Sequence, residues 1–408
     1  MTDNLQRSQL EKDFKKGKIP FAIDREAYHR FSQRNTIFAR VVWDESYLAH
    51  MRPITERAAI KVGRRGYSRV GYAAQDASWT IYDHFYGAFD WNSVSGQVSD
   101  KKIIPTQLKD ALPHLDPTDA KSNTMKIKKV AQIFGACEVG IAKLEPDLPF
   151  IFTRNRRNEQ INFPEGMGFA IVMLIEMDYF ALKTSPALPA SITTGNGYSR
   201  MAFAIACMAE FLRKLGYKAI PSGNDTGLSV PLAIKAGLGQ FGRNGLLINP
   251  KYGQRVRICK VFTDLPLIPD KPIDFGVTQF CRLCKKCAQY CPSQSITYDT
   301  DPSWESPWDT ISNNNGVYKW YVNVDTCYDY WVKNSADCSN CIRICPFTKP
   351  PGFAHDVARF FIKNFRFLDR MWVWMDDLMS LFPWWRYGKK DDPEKFWRSK
   401  HYLGKSTK

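Results

Sequence analysis

The chain has 408 residues, 44% of them hydrophobic and 14% aromatic, enough to bury a sizeable core, which excludes a disordered chain and favours one large unit with a smaller one appended. Its formal net charge of +16 is scattered in short clusters such as Lys101–Lys102, Lys126–Lys128–Lys129 and Lys389–Lys390, without the long basic run of a nucleic-acid arm. No stretch of about 18 uncharged apolar residues is present, so no transmembrane segment is expected, and the polar start from Met1 to Ile19 does not read as a secretory signal.

Residues 1–120 have no clean hydrophobic period and many aromatics, among them Trp43, Tyr72, Trp79, Tyr82, Tyr86 and Trp91, and are expected to wrap a core formed by later residues. Regularity begins at Ala120 with a predicted helix through Phe134, a short strand over Cys137–Ala142 and a buried strand over Phe169–Ile175. Small and apolar residues recurring from Tyr198 to Leu215 predict a helix that stops at Gly216. Lys218–Ile220 reads as a strand and Ser229–Leu238 as a helix. Leu246–Asn249 and Arg255–Phe262 read as a hairpin turning over residues 249–253. The Pro-rich run Leu265–Pro272 marks a boundary before a cysteine block, and beyond Pro351 the chain is predicted helical and aromatic, with Trp372, Trp374, Trp384, Trp385 and Trp397. The expected divisions are therefore 1–120, 121–272, 273–350 and 351–408.

Eight of the eleven cysteines lie between Cys281 and Cys345. Cys281-x-x-Cys284-x-x-Cys287-x-x-x-Cys291-Pro292 has the bacterial ferredoxin spacing, in which three thiolates hold one four-iron, four-sulfur cubane and the fourth reaches across to a second. Cys327, Cys338, Cys341 and Cys345, followed by Pro346, repeat the pattern with the first interval stretched to ten residues. Crossed ligation assigns Cys281, Cys284, Cys287 and Cys345 to one cluster and Cys291, Cys327, Cys338 and Cys341 to the other. Zinc ribbons use two pairs of ligands and have no need of Cys-Pro after a three-residue gap, and a disulfide framework does not place sulfurs so densely. Cys137, Cys207 and Cys259, in apolar contexts, read as core thiols.

A two-cluster unit following an α/β region that contains Ser222-Gly-Asn-Asp-Thr226 and Ala236-Gly-Leu-Gly-Gln-Phe-Gly-Arg-Asn-Gly245 resembles the cobalamin-dependent reductive dehalogenases over residues 120–350. The resemblance implies an α/β (α+β) fold: a nitroreductase-like core cradling a base-off corrinoid, with a ferredoxin-like domain holding two 4Fe-4S clusters. It further implies organohalide respiration. A mature chain without its twin-arginine signal would sit on the outer face of the cytoplasmic membrane, exported and peripheral, tethered by a small integral-membrane anchor protein and fed by an upstream electron donor of the respiratory chain.

Three positions match the family's catalytic pattern, Tyr198 in Gly195-Asn-Gly-Tyr-Ser199, Asn224 in Ser222-Gly-Asn, and Arg257 in Gln254-Arg-Val-Arg257. Removal of halide leaves a carbon that needs a proton. A phenol gives one up more readily when a cation stabilises the phenolate, and an amide can orient the phenol or bind the leaving halide. Arg255 shares the strand face with Arg257 at period two, so the choice between them rests on the resemblance. Gly237, Gly239, Gln240, Gly242 and Asn244 suit backbone lying close to a flat cofactor. The stretch follows a helix rather than a strand, which argues against a dinucleotide site.

The expected activity is reductive removal of halide from a small organohalide, with a lean toward chlorinated alkanes such as chloroform or trichloroethane. Aromatics over 72–91 and 372–397 are candidates for a dry pocket. The rival activity is that of an epoxyqueuosine reductase acting on tRNA. The short aromatic tail after Pro351, and a tyrosine rather than an acid at the proton-donor position, weigh against it, and no nucleic-acid partner is expected. A bare electron carrier would not need some 280 residues ahead of its clusters.

Overall fold

The computed structural model describes residues 2–57, 61, 63–86, 115–350, 352–382, 388–402 and 405–406. Tyr86 ends a helix whose last side chains are not described, and Trp91, Lys101–Lys102, Trp384 and Trp385 lie outside the described residues.

Among the described residues, α1 (Thr2–Lys15), α2 (Ile37–Trp43), α3 (Glu45–Arg57) and α4 (Arg69–Tyr86) open the chain. The core follows as α5 (Ala120–Ile133), β1 (Glu138–Lys143), β2 (Phe169–Glu176), α6 (Tyr179–Lys183), α7 (Leu188–Lys214), β3 (Ala219–Ser222), α8 (Ser229–Lys235), β4 (Gln240–Phe241), β5 (Leu247–Ile248) and β6 (Val256–Thr263). Strands β1, β2, β6 and β3 lie side by side in that order, every pair antiparallel, so the core is α+β rather than a parallel α/β sheet.

The sequence of β2, an unbroken apolar run, follows from burial on both faces. Ala170, Val172 and Leu174 enter one hydrophobic core with Leu232 and Ala233 of α8, while Ile171, Met173 and Ile175 enter another with Ile127 of α5 and Ile205, Met208 and Leu212 of α7. Period-two alternation thus feeds two cores. Each half is dry: the six residues from Ala170 to Ile175 have no exposed surface.

Two predicted elements came out differently. The hairpin between 246–249 and 255–262 does not form, since β5 pairs with β4 (Gln240 opposite Ile248) and β6 lies between β2 and β3. The turn itself survives as a bridge between Asn249 and Gly253. An eight-residue strand that carries Ile258, Val261 and Phe262 buries more in the centre of the sheet than beside a two-residue one. Second, α7 begins at Leu188, ten residues before the predicted start, with Pro189 in its first turn. Thr193, Thr194, Gly195 and Gly197 are weak helix formers; tertiary packing overrides them. A Cβ on Gly195 would lie 2.1 Å from Ser78 Oγ, and one on Gly197 would lie 2.9 Å from Arg257 Cγ.

The cysteine block forms short helices, α9 (Val277–Leu283), α10 (Lys286–Gln289), α11 (Val324–Asn334) and α12 (Asn340–Ile344). The predicted helical tail is α13 (Phe353–Asn364), α14 (Asp369–Leu381) and α15 (Pro393–Arg398). Buried Lys286, inside the first cluster motif, and Lys349, just past the last cysteine, both pair with Asp376 of α14 and fasten the tail to the cluster unit.

Candidate functional site

Tyr198 stands on α7, Asn224 on the loop after β3, and Arg257 at the start of β6; the fold brings the three together. The Asn224 amide donates to Tyr198 Oη at 2.8 Å, and the Arg257 guanidinium carbon lies 4.9 Å from the tyrosine ring centroid. Trp79 of α4 stacks on the same ring at 4.7 Å and Tyr82 meets it edge-on at 5.0 Å. Because Tyr198 accepts from Asn224, its own hydroxyl hydrogen is left to point at another group. Two rings and the guanidinium pack around its ring.

Arg255, the alternative on sequence grounds, turns away. It pairs with Glu176 and lies over Tyr252, whereas Arg257 donates to Thr194 Oγ1 at 3.1 Å.

The trio also touches the cysteine block. Asp337, next to Cys338, lies close enough to Arg257 that the cation draws its carboxyl down against a larger upward push from burial. The backbone of Asp337 is tied to Ser191 of α7 (3.4 Å), and Ser185 Oγ both accepts from Ser339 N and donates to Asn340 Oδ1, each at 2.9 Å. The segment carrying Cys338 and Cys341 is therefore seated on the first turn of α7 and the residues just before it. Among the described residues Arg257 Nε and Asp337 Oδ2 are buried without a hydrogen-bond partner, an arrangement that leaves polar capacity for a bound molecule.

The eight cysteines sort themselves by proximity. Burial raises Cys345, and the Cys281 and Cys284 sulfurs raise it further; Cys327 is raised by burial and then by Cys341, Cys338 and Cys291. Burial pushes Cys284 up to about 11 and Cys338 up to about 12. Cys287 feels Cys281, Cys284, Cys345 and also Cys341, so the two groups adjoin there. Crossed ligation would use these same two groups. Buried thiols that repel one another ionise only against concentrated positive charge, which an iron–sulfur core supplies. Among the described residues no three His, Cys, Asp or Glu side chains converge tightly enough for a single metal ion, whereas a cubane spreads its ligands over four irons.

The Gly-rich stretch makes its contacts with protein. A Cβ on Gly237 would lie 2.6 Å from Lys271 O and one on Gly239 2.2 Å from Ile248 O, so close backbone approach alone requires glycine at both. At Gly242 a Cβ would meet Gln254 Nε2 at 2.9 Å. Gln240 Oε1 accepts from Phe275 N at 2.8 Å and Val277 N at 3.3 Å, anchoring the start of α9. Asn244 exchanges two bonds with Gln254 and reaches the Cys341 thiol.

Of the predicted aromatic wall, Trp79 and Tyr82 stand at Tyr198. Trp374 and Trp397 are exposed, and Trp372 lies 5.7 Å from Phe361, packed against the cluster unit. Cys259 is fully buried and Cys137 packs on the core, while Cys207 is only half-buried on α7. Sequence reasoning passed over Asp337 and Lys260. The one available signal for Lys260 was a lysine inside the apolar run Ile258-Cys-Lys-Val-Phe262.

A family model described as a 4Fe-4S dicluster domain matches residues 280–349. A tetrachloroethene reductive dehalogenase of Desulfitobacterium hafniense is 53% identical over 231 residues, covering 55% of this chain and 39% of that protein. One from Sulfurospirillum multivorans is 35% identical over 374 residues, covering 84% of this chain and 72% of that protein. Among solved structures, a catabolic reductive dehalogenase matches with a TM-score of 0.70 at 22% identity, over 92% of this chain and 49% of that one, a likeness of fold. The chain spans less than half the length of the first and last of these.

Proposed function

As the chain belongs to the reductive dehalogenase family, we propose that it removes halide from a small organohalide, using electrons passed through two 4Fe-4S clusters to a corrinoid held beside Tyr198. The observation that carries this reading is the tyrosine hydroxyl fixed by Asn224 under the Arg257 cation, one residue contact from the Cys338 loop. In the net step, the carbon–halogen bond takes two electrons and one proton, and yields a carbon–hydrogen bond and halide.

The bound corrinoid would supply the two-electron chemistry at the carbon–halogen bond. Its amide-bearing rim suits the unpartnered Arg257 Nε and Asp337 Oδ2. Gly237, Gly239, Gln240, Gly242 and Asn244 remain candidates for its contacts on the resemblance alone. The protein's residues do the rest. Tyr198 holds the proton for the carbon, Asn224 holds the hydroxyl in place, and Arg257 offers positive charge to the phenolate left behind. Trp79 and Tyr82 keep water from the ring. Asp337 sets a carboxyl near the guanidinium from the cluster side.

The relatives named for tetrachloroethene support a chlorinated ethene as the first substrate to try. Chloroform and trichloroethane stand beside it. Action on tRNA is not favoured by these relatives. No described helix is long and apolar enough to cross a membrane; on the resemblance we place the protein at the outer face of the cytoplasmic membrane, held by a small integral-membrane partner and reduced by a respiratory donor. The test is chloride release from these compounds by anaerobic protein replete in iron, sulfide and cobalamin. Tyr198→Phe is expected to slow release by about 100-fold or more with iron and cobalt contents intact. Full activity in that variant would remove the proton-donor role.

A further inference from the structure

Asn224 works only if its loop is held. Its amide reaches Tyr198 from a surface loop, and Asn224 itself is exposed, so nothing in its own packing fixes the approach. The constraint comes from below. Lys260, on β6 with no exposed surface, sends its ammonium to Gly223 O at 2.6 Å and Asp225 O at 3.2 Å, the carbonyls on either side of Asn224. A third bond goes to Ser229 Oγ at 3.0 Å, at the start of α8. Three acceptors use all three ammonium hydrogens.

The loop between these points is strained. Thr226 has φ +60°, a left-handed conformation that a β-branched residue adopts only when its surroundings impose it. The Asp225 carboxylate does not reach out for the ammonium; it accepts from Gly223 N at 2.6 Å and from Thr226 Oγ1 at 3.1 Å, closing the loop on itself. Asp225 and Cys259 are the other titratable groups acting on Lys260. Burial pushes Lys260 down to about 8, opposed by Asp225, which burial in turn raises. Burying an ammonium costs free energy that an apolar side chain would not, and what it obtains here is a fixed pair of carbonyls.

We propose that Lys260 is a positioning residue of the dehalogenation site, which clamps the carbonyls flanking Asn224 so that its amide meets the Tyr198 hydroxyl. This rests on the reading of Tyr198 and Asn224 given above. A lysine that served only to stabilise the sheet would weaken the protein without regard to Asn224; one that positions Asn224 has nothing left to do once that amide is gone.

A double-mutant cycle on the replete protein separates these cases. Lys260→Met is expected to lower kcat for chloride release from tetrachloroethene by about 10- to 100-fold with KM little changed and iron and cobalt retained. Asn224→Ala is expected to fall comparably, and adding Lys260→Met to it to lower kcat by less than about twofold. If Lys260→Met keeps wild-type kcat while Asn224→Ala is impaired, or if the two losses multiply, the positioning role is overturned and the reading of Asn224 stands. If Asn224→Ala is fully active, that reading fails, and the Lys260 role with it. Should Lys260→Met not fold, Ser229→Ala decides: a severalfold loss that vanishes beside Asn224→Ala supports the clamp, and unchanged or independent loss overturns it.

Discussion

Arg255 and Arg257 are two positions apart in a strand-like segment, and a period of two puts both on one face. The structure separates them because β6 begins only at Val256. Arg255, ahead of it, falls beside Glu176 and is nearly fully buried, while Arg257 faces α7 and Tyr198. Different losses should follow. Arg257→Ala is expected to lower kcat for chloride release by roughly 10- to 1000-fold, since it removes charge at the reacting group, with little change in melting temperature. Arg255→Ala is expected to leave Glu176 without its partner and to lower stability by about 1–3 kcal/mol, read by thermal melting, while the remaining folded protein keeps its turnover. The same distinction applies to Asn244 and Gln240. Their residue types suggested ligand contacts, but one side chain is spent on Gln254 and Cys341 and the other on the start of α9.

At the scale of elements, α7 is the spine of the site. Its first turn carries the Cys338 loop, its middle carries Tyr198, and its last turns fill the core on the side of α5. Helix α4 lies along it and supplies Trp79 and Tyr82, so the segment expected merely to wrap a core reaches the site itself. The tail helices show a different economy. Asp369, in the first turn of α14 with Oδ1 buried and unpartnered, is pushed by burial up to about 7, with Arg366 pulling it down. A carboxyl so raised keeps a proton in the folded state that the unfolded chain has released above its usual 3.8. Stability from this group is thus present at low pH and is lost as pH rises from about 4 through 7. Asp369→Asn is expected to slow limited proteolysis between α13 and α14 strongly at pH 8 and less at pH 5, where only part of that stability has been lost. Equal effects at both pH values would refute this assignment.

Across the whole molecule, the clusters tie distant segments together. By the crossed assignment Cys345 would complete the set of Cys281, Cys284 and Cys287, and Cys291 that of Cys327, Cys338 and Cys341, the thiols each lies among, so that neither cluster would form from one motif alone. Iron counting tests the crossing. Cys345→Ala is expected to remove about half of the iron; adding Cys287→Ala should cost no more, whereas adding Cys341→Ala should remove nearly all. The reverse pattern would mean that each motif serves its own cluster. Asp337, next to Cys338, is tied to Ser191 of α7, which joins the group of Cys291, Cys327, Cys338 and Cys341 to the helix that carries Tyr198.

The sequence by itself determined the cysteine block of a 4Fe-4S dicluster domain, the burial of β2 and the helix over Ala120–Ile133, because each depends on spacing within a few turns of chain and the physics of such spacing is local. The same spacing, a three-residue gap ending in Cys-Pro, is the ground for proposing that the cubanes pair across motifs. Only the tertiary structure decided which arginine meets Tyr198, which strand accompanies β5, where α7 begins and what Lys260 holds. Arg257 finds Thr194 across 63 residues, and Lys260 finds Gly223 across 37. Such contacts are selected by the burial they jointly achieve, a quantity that no window of sequence contains.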